Sequence, residues 1–156
     1  MQMITFGFDP GREGGFAIMS KLGVIHAEPL PYLGEELDIA RLVMLILGHR
    51  DGGARAVVEK VGAMPGQGVC SMFSFGRNVG ELRGMLKALA VPFIEPTPQT
   101  WKKIVLAGTD WKGRKEASIE HVMRAYPDVD LLPGKKRKAH DGIADAVCLA
   151  EYGGRV

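Results

Sequence analysis

Four carboxylates interrupt stretches of the sequence that otherwise suit burial. Asp9 ends the alternating run MITFGFD, Glu59 directly follows the apolar residues AVV, and Asp141 and Asp145 lie within the small, apolar stretch AHDGIADAVCLAEYG. Residues four apart share one face of a helix, so Asp141 and Asp145 would project side by side. Like charges at this spacing repel, and burying unpaired carboxylates is costly. A divalent cation such as Mg²⁺, which prefers oxygen ligands, would remove both costs. The four acids are therefore candidate metal ligands.

Each of these acids also has a simpler structural interpretation. An Asp before Pro-Gly, as at Asp9, is typical of a turn. Glu59 could lie on an edge strand and pair with a lysine, although the adjacent Lys60 would point to the opposite face. Asp141 could be the N-cap of a helix. Asp145, inside an apolar stretch, is the hardest to explain in this way, and the set of four favours a shared site more strongly than any member alone.

The flanking patterns predict the elements that would position these acids. MITFGFDPG predicts a strand that ends in a tight turn, and GGFAIMS and GVIHAEPL, joined by KLG, predict a hairpin. ARAVVEKV and VPFIEPTP predict two later strands. Apolar residues recur at helical spacing over residues 35–48, 69–90, 98–107, 113–127 and 139–153. This order predicts one mixed α/β domain over residues 1–156, with three antiparallel strands followed by parallel strands joined by helical crossovers.

Basic residues collect in the last third of the chain. The net charge is only +2, but residues 101–156 hold 11 Lys and Arg against 8 Asp and Glu. They cluster in WKK, WKGRK and GKKRK, which indicates either a solvated surface or contact with a polyanion. With 46% hydrophobic and 24% charged residues, the composition is that of an ordinary globular protein.

The two cysteines and the absence of targeting signals bear on location. Cys70 and Cys148 both fall in helical patterns and are expected in the core, and no CxxC pair indicates a disulfide framework or a zinc site. No signal-peptide pattern and no apolar run of membrane-spanning length is found, so a cytoplasmic protein is expected.

Three motifs in order carry a resemblance to a known family. FGFDPG, VVEKV and HDGIADAVCLA resemble the corresponding segments of the RuvC family of Holliday-junction resolvases, within the ribonuclease H-like nucleases. The similarity is closest to phage-type RuvC-like proteins, which implies an enzyme acting in the cytoplasm of a bacterial host. It covers nearly the whole chain and implies a ribonuclease H-like mixed sheet flanked by helices.

The resemblance also implies the chemistry of the four acids. It makes Asp9, Glu59, Asp141 and Asp145 the catalytic residues that bind two Mg²⁺ or Mn²⁺ ions, with Asp9 shared by both. Two ions about 3.5–4 Å apart would hold the scissile phosphate, activate a water and stabilise the leaving oxygen. In many members the last two acids are three residues apart, whereas here they are four apart. Asp141 is therefore the less certain ligand, and the neighbouring His140 is an alternative ligand or proton donor.

The resemblance implies two DNA-contacting regions. The loop after Glu59 and the start of the next helix would probe the branch point, although their apolar residues could instead belong to the core or to an interface. The basic clusters would neutralise phosphates, independently of sequence. The candidate DNA-binding residues are Met64, Gln67, Phe73, Lys102, Arg114, Lys115, Lys135, Lys136, Arg137 and Lys138.

Glycines repeat every four residues along the longest predicted helix. Gly76, Gly80 and Gly84 would form a bare stripe, and each glycine costs about 1 kcal/mol relative to alanine inside a helix. A close backbone contact would offset this cost. The stripe could pack on the chain's own sheet, or on a second copy in a homodimer, as the resemblance implies.

The sequence therefore predicts a metal-dependent, structure-selective endodeoxyribonuclease that resolves four-way DNA junctions by paired cuts. A related nuclease acting on forks, flaps or RNA–DNA hybrids is the alternative within enzymes. DPGREGG also resembles the first turn of actin-like and sugar-kinase domains, but those proteins need two such domains and 156 residues supply one. A DNA-binding scaffold without activity is disfavoured, since four carboxylates without metal would repel phosphate.

Overall fold

A mixed sheet with helices on both faces positions the acids. The computed structural model describes residues 3–62 and 65–156. The elements are β1 (Ile4–Asp9), β2 (Gly15–Ser20), β3 (Gly23–Pro29), β4 (Tyr32–Leu33), β5 (Glu36–Leu37), α1 (Ile39–His49), β6 (Ala54–Val58), α2 (Val69–Ala88), β7 (Phe93–Ile94), α3 (Pro98–Val105), α4 (Ala117–Ala125), a 3-10 turn (Pro133–Lys135) and α5 (Asp141–Arg155).

The central sheet has the strand order β3-β2-β1-β6-β7. β1 pairs with β2 and β2 with β3 in antiparallel fashion, whereas β6 runs parallel to both β1 and β7. The predicted mixed sheet is confirmed. Because β1 and β6 are parallel, both end at the same edge of the sheet, which we call the carboxyl edge. Phe8 pairs with Val58 there, so the residues that follow them leave the sheet side by side.

Two apolar layers sandwich the sheet. On β1, Phe6 and Phe8 pack with the buried side chains of α1 and α2. The opposite face of the sheet packs against α3, α4 and α5. Val57 of β6 points to this face. Successive strand residues point to opposite faces, which explains why a single strand contributes to both layers.

Helix α5 lies directly on the sheet because small residues meet at the crossing. A Cβ on Gly7 would stand 2.0 Å from the Ala146 carbonyl oxygen, and one on Gly15 would stand 2.2 Å from that of Gly142. These small residues, on the strands and on α5, therefore allow the two backbones to approach closely. The helix predicted over 139–153 is confirmed as a buried helix, displaced by two residues at each end.

The segment before α1 differs from the prediction. A helix was expected from residue 35, but Asp38 caps it by accepting a hydrogen bond from the Arg41 N–H at 2.9 Å, so α1 begins at Ile39. Tyr32–Leu37 instead form the small antiparallel hairpin β4–β5, which turns through Gly34 at a positive φ of 65°. Asp38, the fourth residue of the apolar pattern, therefore marks where helix α1 starts.

The cysteine prediction is half right. Cys148 is buried in α5, as expected, whereas Cys70 is exposed. Residues 69–74, which form the first turns of α2, are all exposed. Among the described helices, none combines the length and apolar character that crossing a membrane requires.

Candidate active site

Asp9 and Glu59 stand next to each other at the carboxyl edge. Asp9 is the last residue of β1, and Glu59 follows β6 and donates its backbone N–H to the Phe8 carbonyl at 3.0 Å. Two residues earlier, Gly7 and Val57 face α5, so strand alternation directs both acids to that side. β6 is an inner strand of the sheet, between β1 and β7. Glu59 therefore does not belong to a strand at the side of the sheet, and that interpretation is wrong.

Helix α5 brings the other two acids to the same edge. Its first turn lies over the start of β2, where Gly142 contacts the backbone of Gly14 and Gly15. Asp141 is the first residue of this helix and Asp145 lies one turn further along. Both carboxylates raise the pKa of Asp9 through their charge, which places them within electrostatic range of it.

The electrostatics of Asp9 show how crowded the site is. Loss of water around its carboxylate is the largest cause of a pKa raised to about 8, and the charges of Glu59, Asp145 and Asp141 add to the rise. Burial also raises the pKa of Glu59 and that of Asp145, and like charge contributes to each. Three neighbouring acids thus resist ionisation together, as expected where negative charges share a partly enclosed space.

A different donor holds each of these three carboxylates. Asp9 Oδ1 accepts a hydrogen bond from the Gly11 N–H at 3.2 Å, and Glu59 Oε1 accepts one from the Trp101 indole N–H at 2.9 Å. The Ser118 hydroxyl donates to Asp145. Sequence reasoning missed both Trp101 and Ser118. Trp101 carried a usable signal, because a buried indole N–H needs an acceptor.

The donor set suits a hard divalent cation. Across residues 3–62 and 65–156, no three His, Cys, Asp or Glu side chains lie close enough together to hold a metal ion as they stand. Each buried acid is bonded instead to a neutral donor, and none of the described ion pairs involves Asp9, Glu59 or Asp145. Mg²⁺ and Mn²⁺ prefer carboxylate oxygens as ligands, so the residues present fit such an ion.

His140, the alternative ligand, has a structural role. It is the N-cap of α5, and its Nδ1 accepts the Ile143 N–H at 3.1 Å. Burial is the largest cause of its lowered pKa, with the charge of Lys136 adding to it. The N-cap interpretation of Asp141 is therefore wrong. Asp141 is exposed and accepts a hydrogen bond only from the adjacent Gly142 N–H, at 3.0 Å, among the described contacts.

Lys102 belongs to the site as well as to the basic surface. Its ammonium stands 5.2 Å from the centre of the Trp101 ring, and its charge lowers the pKa of Glu59 and of Asp145 against the effect of burial. Lys102 also lines a groove with the predicted DNA-binding residues Arg114 and Lys115. These two residues lie in the turn before α4 rather than within it, and Arg114 forms an ion pair with Glu120.

The other predicted DNA-contacting residues that the structure describes are exposed. Phe73 is 72% exposed, so its interpretation as a core residue is wrong. Gln67 is also exposed, whereas Met64 lies outside the described residues. The predicted basic residues that precede α5 are all exposed, namely Lys135, Lys136, Arg137 and Lys138.

The glycine stripe of α2 faces open space. Gly76, Gly80 and Gly84 are exposed, and a Cβ added at any of them would meet no atom of the described chain within 4 Å. Packing of the stripe on the chain's own sheet is therefore wrong.

Comparison with known proteins identifies the fold. No family model matches the sequence, and no curated protein does. Among solved structures, Thermus thermophilus RuvC in complex with a Holliday junction substrate matches at a TM-score of 0.64 and 19% identity, over 97% of this chain and 93% of that one. Thermus thermophilus RuvC alone gives 0.63 and 20%, over 98% and 96%. The yeast mitochondrial Holliday junction resolvase gives 0.54 and 15%, over 95% and 76%. The predicted RuvC-like fold is confirmed.

Proposed function

We propose that this protein is a metal-dependent endonuclease that resolves four-way DNA junctions. The proposal rests above all on one observation, which is that the charges of Glu59, Asp141 and Asp145 all act on Asp9 at one edge of a sheet, in a fold that matches solved RuvC structures. A fold alone hosts many functions, so the assignment depends on the site. A cluster of acids that form no ion pair among the described residues, beside a basic groove, suits hydrolysis of a phosphodiester.

The four acids would hold two Mg²⁺ or Mn²⁺ ions. When bound, such ions lower the pKa of a water and stabilise the charge that develops on the leaving oxygen. Asp9 has the most central position, since it is fixed at a strand end and interacts with all three other acids. Trp101 fixes one oxygen of Glu59 and leaves the other free to bind an ion. Lys102 adds a positive charge next to Glu59 and Asp145, where it could orient a phosphate.

Two surfaces flank the acids and would hold the DNA. The groove of Lys102, Arg114 and Lys115 lies on one side, and the exposed run of residues 135–138 leads directly into α5. Such surfaces bind backbone phosphates and position the strand without reading its sequence. Phe73, exposed on the first turns of α2, offers an aromatic ring for stacking on an unpaired base at the branch point.

Replacing Lys115 with alanine should weaken junction binding and its dependence on salt. Loss of one phosphate contact reduces the slope of log affinity against log salt by about 1. Fluorescence anisotropy in metal-free buffer at several salt concentrations measures this slope. Lys21→Ala is the matched control, because Lys21 is an exposed lysine after β2, at the opposite edge of the sheet. Equal slopes for the two variants would remove Lys115 from the DNA surface.

We include a homodimer in the proposal because two symmetric cuts require two active sites. The open stripe of Gly76, Gly80 and Gly84 allows close approach of a second α2. Gly80→Leu should then shift the sedimentation coefficient to that of a monomer. Gly48→Leu, at another open helical glycine, should leave it unchanged. A dimer that persists in Gly80→Leu would contradict this interface.

The decisive experiment compares cleavage of four substrates under identical conditions. Four-way junctions, three-way forks, flaps and RNA–DNA hybrids of matched sequence are incubated with the protein and Mg²⁺ or Mn²⁺. Preferential, paired nicking of the four-way junction is expected. Preference for flaps or hybrids would keep the nuclease chemistry and overturn the junction assignment, whereas no cleavage of any substrate would overturn both.

A further inference from the structure

Tyr32 connects helix α2 to the turn that carries Asp9. Asn78 Nδ2 on α2 donates to the Tyr32 hydroxyl at 2.8 Å, and that hydroxyl donates to the Gly11 carbonyl at 3.3 Å. The Gly11 N–H in turn donates to Asp9 Oδ1 at 3.2 Å. Three hydrogen bonds in series therefore connect Asn78, in the middle of α2, to Asp9 Oδ1. We call Asn78, Tyr32 and Gly11 the relay.

Gly11 is held at both of its backbone groups. Its carbonyl also accepts the Gly14 N–H at 2.9 Å, which closes the turn after β1. The Arg12 guanidinium stands 4.8 Å from the centre of the Tyr32 ring, so the same tyrosine contacts the turn through its ring as well as its hydroxyl. Tyr32 thus restricts where Gly11, and with it Asp9 Oδ1, can lie.

The hairpin β4–β5 that carries Tyr32 is itself fixed by α2. Arg77 Nη2 donates to the Glu35 carbonyl at 3.0 Å, and Arg77 Nη1 lies 3.7 Å from Glu36 Oε1. The next residue of α2, Asn78, reaches Tyr32. Two consecutive residues of one helix therefore hold the hairpin against the Asp9 turn.

The stability of the fold does not explain why an asparagine occupies position 78. Asn78 is only 4% exposed, and its Oδ1 has no hydrogen-bond partner in the part of the chain that the structure describes. A buried acceptor left unpaired lowers stability, and an apolar side chain of similar size would avoid that cost. Its bond to the Tyr32 hydroxyl is the interaction that a leucine could not replace.

We propose that Tyr32 and Asn78 are positioning residues that hold Asp9 in the orientation needed to bind a divalent ion. This inference rests on the proposed function, in which Asp9 is a metal ligand. Partners one step removed from a ligand change metal affinity by about 10- to 100-fold, and this relay is a step further away. Tyr32→Phe and Asn78→Leu should therefore each weaken Mn²⁺ binding by about 3- to 10-fold.

The test measures Mn²⁺ binding without DNA, by following the electron paramagnetic resonance signal of the free ion. Tyr32→Phe removes the hydroxyl and keeps the ring beneath Arg12. Because the two residues act in one chain, the double variant should bind about as weakly as the weaker single variant. Tyr126→Phe is the control. The Tyr126 hydroxyl bonds to Glu151, and Tyr126 lies beside the β2–β3 turn, at the opposite edge of the sheet from Asp9. It should change Mn²⁺ affinity by less than about 2-fold.

Two further measurements separate positioning from loss of folding. In metal-free protein, the Gly11 amide should exchange with solvent about 3- to 10-fold faster in Tyr32→Phe than in the wild type, since its neighbour is less fixed. Asn78→Leu should melt at or above the wild-type temperature while binding Mn²⁺ more weakly. A lower melting temperature together with weaker binding would make Asn78 structural and would overturn its role.

Failure of the relay and failure of the proposed function give different results. If Asp9→Asn weakens Mn²⁺ binding but Tyr32→Phe and Asn78→Leu match the wild type, the relay is wrong and the metal site stands. If Asp9→Asn leaves Mn²⁺ binding unchanged, the metal assignment falls and the relay falls with it. Additive losses in the double variant would also overturn the relay, because they would mean that the two residues act independently.

Discussion

Asp9→Asn is expected to abolish cleavage of a four-way junction while the junction remains bound. Asparagine keeps the size of the side chain and one oxygen, but it removes the charge that would hold the cations. Bound divalent ions stabilise the transition state by several kcal/mol. Their loss corresponds to a decrease in the single-turnover rate on the order of 10³-fold or more. Asp145→Asn should behave similarly, since that carboxylate lies in the same cluster.

At a pH above about 8, where the Asp9 carboxyl is ionised, the same variant should bind the junction slightly more tightly than the wild type when no metal is present. Asp9 lies among three other acids, and removing one negative charge next to the phosphates reduces repulsion. An electrophoretic mobility shift with chelator present measures the affinity, and a gain of about 2- to 5-fold is expected. Asp128→Asn, at an exposed aspartate near the β2–β3 turn, is the control and should alter neither rate nor affinity. Retained nicking by Asp9→Asn in Mg²⁺ would contradict the mechanism.

The sequence was sufficient to find the acids because each one violates a local pattern. Asp9 and Glu59 end apolar strands, and parallel pairing brings strand ends together without any further information. The small residues of α5 likewise indicated a buried helix, and the close approach at Gly7 explains why they are small. Patterns confined to one element are visible in the sequence because they depend on residues a few positions apart.

Partners that come from distant elements could not be found in this way. Trp101 donates to Glu59 across 42 positions, and no local pattern reports such a pairing. Only the second strand of the hairpin that carries Tyr32 fell within the helix predicted over residues 35–48, because the apolar spacing of α1 extends backwards past its Asp38 cap. Because the hairpin was not predicted, the hydrogen bonds that join Tyr32 to Asn78 and Gly11 were not predicted either.

The exposure of the side chains in the first turns of α2 could not be predicted from the sequence either. Cys70 and Phe73 sit in an apolar pattern that is typical of a core helix, yet both are exposed. Periodicity identifies a helix and its apolar face, but it does not reveal how far the sheet beneath it extends. The buried residues of α2 begin at Asn78, and residues 69–74 of its first turns are exposed.

In metal-free buffer, the wild-type protein should lose stability relative to Asp9→Asn as the pH rises from about 4 to 8. Burial and the neighbouring acids raise the pKa of Asp9 from 3.8 to about 8, so the folded protein binds this proton more tightly than the unfolded chain does. The resulting stability is fully present below the unfolded pKa and is lost as the pH rises through the folded one. The raised pKa values of Glu59 and Asp145 act in the same direction.

Asp9→Asn isolates this effect, because asparagine does not titrate. A tenfold difference in proton affinity between the folded and unfolded states corresponds to about 1.36 kcal/mol, so a pKa raised from 3.8 to about 8 would correspond to roughly 5 kcal/mol. Asp9 retains some contact with solvent, which reduces the expected effect to about 2 kcal/mol. Urea denaturation with chelator should show the variant and the wild type equally stable at pH 4, and the variant more stable by about that amount at pH 8. Adding Mg²⁺ at pH 8 should stabilise the wild type and not the variant, since a cation that binds the ionised acids shifts the folding equilibrium only where those acids remain. A wild-type stability that matches Asp9→Asn from pH 4 to 8 would mean that the acids do not share one enclosed site.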